Sequence, residues 1–145
     1  MEINLPTNLE LSGEGKKITI ILPYFNDELG TELLKNTEKE LKSLKTTEIQ
    51  IVRVFGTMEL PFACQKIIEK EKPDAIIALG IVIRGETKHF DLVNEITHQG
   101  LMNVQLELKT PIIFGILACE NKQQAIDRLN KGKHFAQTAL LQISL

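Results

Sequence analysis

Apolar and polar positions along the chain alternate between two periods, and the alternation lays out an α/β protein. Four short apolar runs bounded by turn residues read as strands: Lys17–Pro23 (KITIILP), Glu48–Phe55 (EIQIVRVF), Ala75–Ile83 (AIIALGIVI) and Pro111–Leu117 (PIIFGIL). Helical spacing fills the gaps. Glu28–Leu44 carries an apolar stripe of Leu29, Leu33, Leu34, Leu41 and Leu44, with Lys35, Glu38, Lys39 and Lys42 opposite. A second helix starts at Pro61, a residue suited to a first turn, and ends before Pro73, with Phe62, Ala63, Ile67 and Ile68 facing inward. A third runs from Asp91 to Lys109, where Leu92, Ile96, Gly100, Val104 and Leu108 recur every four residues. Glycine in mid-helix costs about 1 kcal/mol, so Gly100 reads as a point of close packing. A short helix over Gln123–Leu129, an interruption at Lys131-Gly132-Lys133 and a last helix over His134–Ser144 complete the chain. The last helix has an apolar face of Ala136, Ala139, Leu140 and Ile143.

Strands alternating with helices imply a parallel sheet covered on both faces, and right-handed crossovers leave few topologies. The run Ala75–Ile83 has no polar position, as expected of a strand buried on both sides. The expected fold is a three-layer α/β sandwich, flavodoxin-like, with a four-stranded parallel sheet in the order 2-1-3-4. Residues 1–15 read as a flexible arm, broken by Pro6, Asn8, Gly13 and Gly15 but carrying Leu5, Leu9 and Leu11. Residues 16–145 read as a single domain. If copies associate, the arm and the last helix are the expected contact elements, because both have apolar faces.

Composition narrows the function. The 145 residues are 43% hydrophobic and 25% charged, which suits one ordinary soluble core. A net charge of -2 argues against nucleic acid and against an anionic membrane surface as partner. No apolar run approaches the roughly 20 residues that span a bilayer, and the first residues lack the pattern of a signal peptide. Cys64 and Cys119 have no metal-like spacing, and His89, His98 and His134 are scattered, so no metal site is expected. A cytoplasmic protein with free thiols is the expectation.

The candidate chemistry lies at the strand exits, where open parallel sheets bind ligands. Phe25-Asn26 offers an aromatic face and an amide, and Gly56-Thr57-Met58-Glu59 offers backbone groups and a carboxylate. Gly85-Glu86-Thr87-Lys88-His89 offers a glycine turn, a hydroxyl and an imidazole, while Phe114, Cys119 and Arg128 come from the fourth strand and beyond. An aromatic ring with amides suits a flat heterocycle. A carboxylate suits a polyol. Thr87 with backbone N–H groups near a helix start, plus an arginine, suits phosphate. Imidazole moves protons near neutral pH. A GxGxxG motif and a P-loop are both absent. Arg84 reads as a surface or interface ion pair, His98 and His134 as packing or surface residues, and Cys64 as a small buried apolar residue. Cys119 is a candidate reactive thiol.

These residues resemble the lumazine synthase family. The run ALGIVIRGETKHFD resembles its signature, Phe25-Asn26 its first strand exit, Gly56–Pro61 its second loop, Ile112–Leu117 its fourth strand and Gln124–Arg128 the helix that follows. The resemblance covers about residues 18–140 in the same order. It implies condensation of 5-amino-6-(D-ribitylamino)uracil with 3,4-dihydroxy-2-butanone 4-phosphate to 6,7-dimethyl-8-ribityllumazine, phosphate and water, with no metal or organic cofactor. By position, Phe25 would stack on the pyrimidine. Asn26, Thr57 and Met58 would line the ribityl pocket, and Glu59 would hold its hydroxyls. The Ile83 backbone would hold the heterocycle, Gly85, Glu86 and Thr87 would cradle phosphate, and His89 would shuttle protons. Phe114 and Arg128 would arrive from a neighbouring subunit of a pentamer, with a decamer or a sixty-subunit shell of pentamers left open.

The chain departs from the family pattern at Phe55, where proline is usual, at Met58, where an aromatic residue is usual, and at Cys119, which replaces threonine. The loop Arg128–Gly132 is about two residues short, so the role of the family's lysine falls to Lys131, Lys133 or His134, without a choice between them. Two other readings stand beside the first: a non-catalytic flavin- or lumazine-binding or cage-forming relative, and an archaeal-type riboflavin synthase. The intact RGETKHF run favours the synthase.

Overall fold

A computed structural model gives the fold; Pro6 and residues 9–145 are described. Leu5 and Asn8 of the expected arm lie outside the described residues. The element order is β1 (Lys17–Pro23), α1 (Asp27–Ser43), β2 (Glu48–Val54), α2 (Leu60–Glu71), β3 (Ala75–Ile83), α3 (His89–Leu108), β4 (Ile112–Cys119), α4 (Lys122–Ile126) and α5 (Gly132–Ile143). Two 3-10 turns, Thr57–Glu59 and Leu129–Lys131, precede α2 and α5. The four strands form one parallel sheet in the expected order β2-β1-β3-β4.

Helices cover both faces of the sheet, and the strand periodicity divides the core between them. On one side, Ile18, Ile20 and Leu22 of β1 and Ile77, Leu79 and Ile81 of β3 meet Leu33 and Leu41 of α1 and Ala136 and Leu140 of α5. On the other, Ile21, Ile76, Ala78, Ile112 and Ile116 meet Leu60, Cys64, Ile67 and Ile68 of α2 and Leu101 of α3. Every residue from Ala75 to Ile81 is buried, as a central parallel strand requires. Cys64 sits fully inside this second layer, where desolvation pushes its thiol up to about 12.

Several boundaries and faces differ from the sequence expectation, each for a physical reason. The β3–β4 ladder runs on to Ile83↔Cys119, so Cys119 lies inside β4 and is buried. Helix α3 starts at His89, two residues early, and the Thr87 hydroxyl accepts the His89 N–H at 3.2 Å. Gly132 opens α5 and does not interrupt it: a Cβ there would stand 2.8 Å from the Leu33 carbonyl oxygen, so the glycine admits α1. Gly100 is a close-packing glycine as expected, since an added Cβ would meet the Pro61 ring at 2.8 Å.

The inward faces of α2 and α3 need correction. Phe62 is 66% exposed, and Leu60 and Cys64 take the inward places. On α3 the buried set is Phe90, Val93, Thr97 and Leu101, while Leu92 and Ile96 face out beside Met102 and Leu106. A row repeating every four residues drifts around a helix of 3.6 residues per turn and leaves the core side. Helix α5 turns its apolar face inward against α1 and the sheet, so it does not offer that face to another copy. The end of the expected arm is tied down: Gly13 donates to the Leu44 carbonyl at 2.7 Å, and Leu11 packs on the core.

Candidate functional site

The site begins as a gap in the sheet. β1 pairs with β2 as far as Pro23↔Val54, and β3 pairs with β4 as far as Ile83↔Cys119. Between β1 and β3, however, the ladder stops at Ile21↔Ala78. The two central strands therefore part at their carboxyl ends. This is also where the strand order reverses, the position at which open α/β sheets bind ligands.

A cavity of about 340 Å³ fills the opening. The exit of β1 contributes Phe25 and Asn26, and the exit of β2 contributes Phe55 to Glu59. The end of β3 contributes Ile81, Val82 and Ile83, and α3 contributes His89 and Val93. The expected site residues Phe25, Asn26, Thr57, Met58, Glu59, Ile83 and His89 thus share one cavity.

Each wall has a local cause. Asn26 sits at φ 56°, ψ 44°, left-handed backbone that asparagine tolerates better than most residues. There its Nδ2 donates to the Ile81 carbonyl at 2.9 Å, bridging the parted strands. The Phe25 ring is 59% exposed and meets Phe55 edge-on, with centroids 5.4 Å apart. An added Cβ at Gly56 would lie 2.9 Å from Glu59 Oε2 and 3.3 Å from the Phe25 ring, so glycine lets carboxylate and ring close over this turn. Thr57 is buried beneath.

Gly85, Glu86 and Thr87 lie between β3 and α3, exposed and beside His89. Their backbone N–H groups donate to no other described residue. Arg84 frames this turn. Its Nε donates to Glu120 at 2.7 Å, Nη1 and Nη2 donate to Asp91 at 3.3 and 3.2 Å, and the guanidinium lies over Phe90. Asp91 and then Glu120 raise its pKa. The arginine is fully engaged in ion pairs, as expected.

Phe114 and Arg128 lie outside the cavity. Phe114 lines a second cavity between α3, β4 and α5 with Gln105, His134 and Phe135, edge-on to His98 at 5.6 Å. Arg128 follows α4, exposed, donating to the Gln124 carbonyl at 2.9 Å. Cys119 does not fit the reactive-thiol expectation: it is 3% exposed, and desolvation raises its pKa against the opposing charges of Arg128 and Lys131.

Sequence reasoning missed two contributors. The Ile81 carbonyl has no side-chain signature. Arg53 lies outside the cavity but reaches across β1, donating from Nε to the Leu22 carbonyl at 3.0 Å and from Nη2 to the Pro23 carbonyl at 3.2 Å. In a Val-Arg-Val strand it reads as one solvent-facing position. Among the described residues no cluster of three or more His, Cys, Asp or Glu could hold a metal, and no helix is long and apolar enough to cross a membrane.

Known proteins share this chain's pattern over nearly its full length. Residues 15–145 match the family model described as 6,7-dimethyl-8-ribityllumazine synthase. A protein of that name from Thermococcus kodakarensis is 40% identical over 135 residues, covering 90% of this chain and 86% of the relative. One from Pyrococcus furiosus is 42% identical over 132 residues, covering 88% and 83%. One from Kosmotoga olearia is 42% identical over 135 residues, covering 88% and 86%. With the signature run, the parallel sheet and the strand-exit cavity all in place, the chain belongs to the 6,7-dimethyl-8-ribityllumazine synthase family.

Proposed function

We propose that the chain condenses 5-amino-6-(D-ribitylamino)uracil with 3,4-dihydroxy-2-butanone 4-phosphate, giving 6,7-dimethyl-8-ribityllumazine, phosphate and water. The observation that carries this reading is the company His89 keeps. In one crevice it lies with an exposed phenyl ring and a carboxylate, next to a turn whose backbone N–H groups donate to no other described residue.

Phe25 stacks on the pyrimidine and the Ile83 backbone orients it. Asn26, Thr57 and Met58 line the ribityl chain, and Glu59 accepts hydrogen bonds from its hydroxyls. Gly85, Glu86 and Thr87 bind phosphate through N–H groups at the start of α3, where the helix dipole favours an anion. His89 moves protons as the amine adds to the ketone, one water leaves, phosphate departs and the ring closes with loss of a second water. Alignment of the two reactants supplies much of the acceleration, about 7–11 kcal/mol in favourable cases.

A second copy of the chain completes the pocket. Three features support this: the cavity opens widely, with Phe25 and Phe55 more than half exposed; Phe114 and Arg128 stand apart from it; and Phe62, Leu92, Ile96 and Leu106 expose apolar surface on α2 and α3. A pentameric ring, free in the cytoplasm, is the assembly proposed, with Phe114 and Arg128 supplied by the neighbour.

The test is to mix the two substrates with the purified protein and follow lumazine absorbance and phosphate release together. Equal formation of both supports the reading. Tight flavin binding without turnover, or riboflavin formed from lumazine alone, contradicts it.

A further inference from the structure

Residues 22–27 include the wall that holds Phe25 and Asn26, and they are fastened from outside the cavity by one side chain. Arg53 stands on edge strand β2, in register with Leu22. Its Nε donates to the Leu22 carbonyl at 3.0 Å and its Nη2 to the Pro23 carbonyl at 3.2 Å. Nη2 also pairs with the Asp27 carboxylate, and the guanidinium lies 4.2 Å from the Tyr24 ring centroid. These four partners lie on either side of Phe25 and Asn26.

The strands explain why an arginine is needed. Leu22 and Pro23 lie beyond Ile21↔Ala78, the last pair that β1 makes with β3, so this end of β1 is laddered to β2 alone. Pro23 has no N–H to add to the ladder. A planar guanidinium can serve two carbonyls, a carboxylate and an aromatic face at once, whereas an ammonium is a point charge without a face. Arg53 does not line the cavity, so it acts through the residues it fixes.

We infer that Arg53 is the positioning residue for the Phe25–Asn26 wall, and that it governs capture of the flat, ribityl-bearing substrate but not of the phosphate-bearing one. The inference rests on the function proposed above. The phosphate turn is framed separately by Arg84, on the far side of β3.

Steady-state kinetics of Arg53→Lys, Arg53→Gln and Arg53→Ala test it. KM for the pyrimidine substrate should rise about tenfold in Arg53→Ala, while KM for the ketone phosphate stays within about twofold. Millimolar guanidinium should restore Arg53→Ala where ammonium does not, and adding Phe25→Ala should cost that variant little further. Equal rises in both KM values, or fully additive effects of the two substitutions, would overturn it.

A second measurement does not need turnover. The chain has no tryptophan, so Phe25→Trp introduces a single reporter. Its anisotropy should fall when Arg53→Gln is added, with the melting temperature nearly unchanged. The same anisotropy in both proteins would overturn the inference even if the catalytic reading stands. A fall in a protein that makes no lumazine would support the positioning role while the catalytic reading fails.

Discussion

The Asn26 Nδ2 donates to the Ile81 carbonyl at 2.9 Å across the gap where β1 and β3 have stopped pairing. One side chain thus does locally what the ladder no longer does, and it leaves the crevice open beside it. Asn26→Asp would set a carboxylate oxygen against that carbonyl. A loss of about 1–3 kcal/mol is expected from the unmet acceptor pair, with Asn26→Gly milder because glycine keeps the left-handed backbone. Urea unfolding of the two variants measures the difference.

His89 is proposed to carry protons, and the remaining acceleration to come from alignment. His89→Ala should therefore slow kcat at saturating substrates severalfold or more, with roughly 10²–10⁴ as the ceiling for an acid–base contribution, without abolishing it. Unchanged steady-state rates would remove the proton role.

Gly56 lies at φ −142°, ψ 179°, extended backbone open to any residue, so Gly56→Ala should fold normally. Its new Cβ would press on Glu59 Oε2 and the Phe25 ring. The expected outcome is a raised KM for the ribityl-bearing substrate with an unchanged melting temperature, read by kinetics and calorimetry on the same sample.

Gly100→Ala sets two effects against each other. Alanine improves mid-helix propensity by about 1 kcal/mol. Its Cβ would stand 2.8 Å and 3.0 Å from the Pro61 ring, and a rigid ring cannot swing away. Overpacking of this kind costs about 1–3 kcal/mol, so the variant should be less stable on balance. A rise in melting temperature would show that α2 and α3 can separate freely.

Burial of Cys64 couples stability to alkaline pH. The folded thiol ionises at about 12, against 9.0 for an ordinary thiol. The unfolded chain therefore loses its proton first, and stability is full below pH 9 and declines as pH rises towards 12. The whole effect is roughly 4 kcal/mol at most. Cys64→Ala should flatten the stability slope between pH 9 and 11, and thiol reagents should label the native protein slowly.

The sequence carried the sheet order and most of the crevice because both are written in local pattern. The apolar run of β3 ends abruptly in RGETKHF, and Phe25-Asn26 directly follows a strand. What it concealed depends on register and helical phase. Arg53 becomes a clamp only because β2 pairs it with Leu22, a fact no single strand reveals. Leu92 and Ile96 share a row with Gly100 and Val104 on paper, yet the drift of the helix turns them outward. Gly132 looked like a breaker because its partner, the Leu33 carbonyl, lies far away in the chain.

Two copies of the chain are proposed to build each pocket, one giving Phe25, Glu59 and His89 and the other Phe114 and Arg128. Subunit mixing tests it most directly. A Glu59→Ala/His89→Ala protein and a Phe114→Ala/Arg128→Ala protein, each nearly inactive, are dissociated together and reassembled. Head-to-tail pairing predicts that about a quarter of the pockets regain every group, so lumazine formation returns towards a quarter of the unmodified rate. Mixtures no more active than their separate components would contradict it.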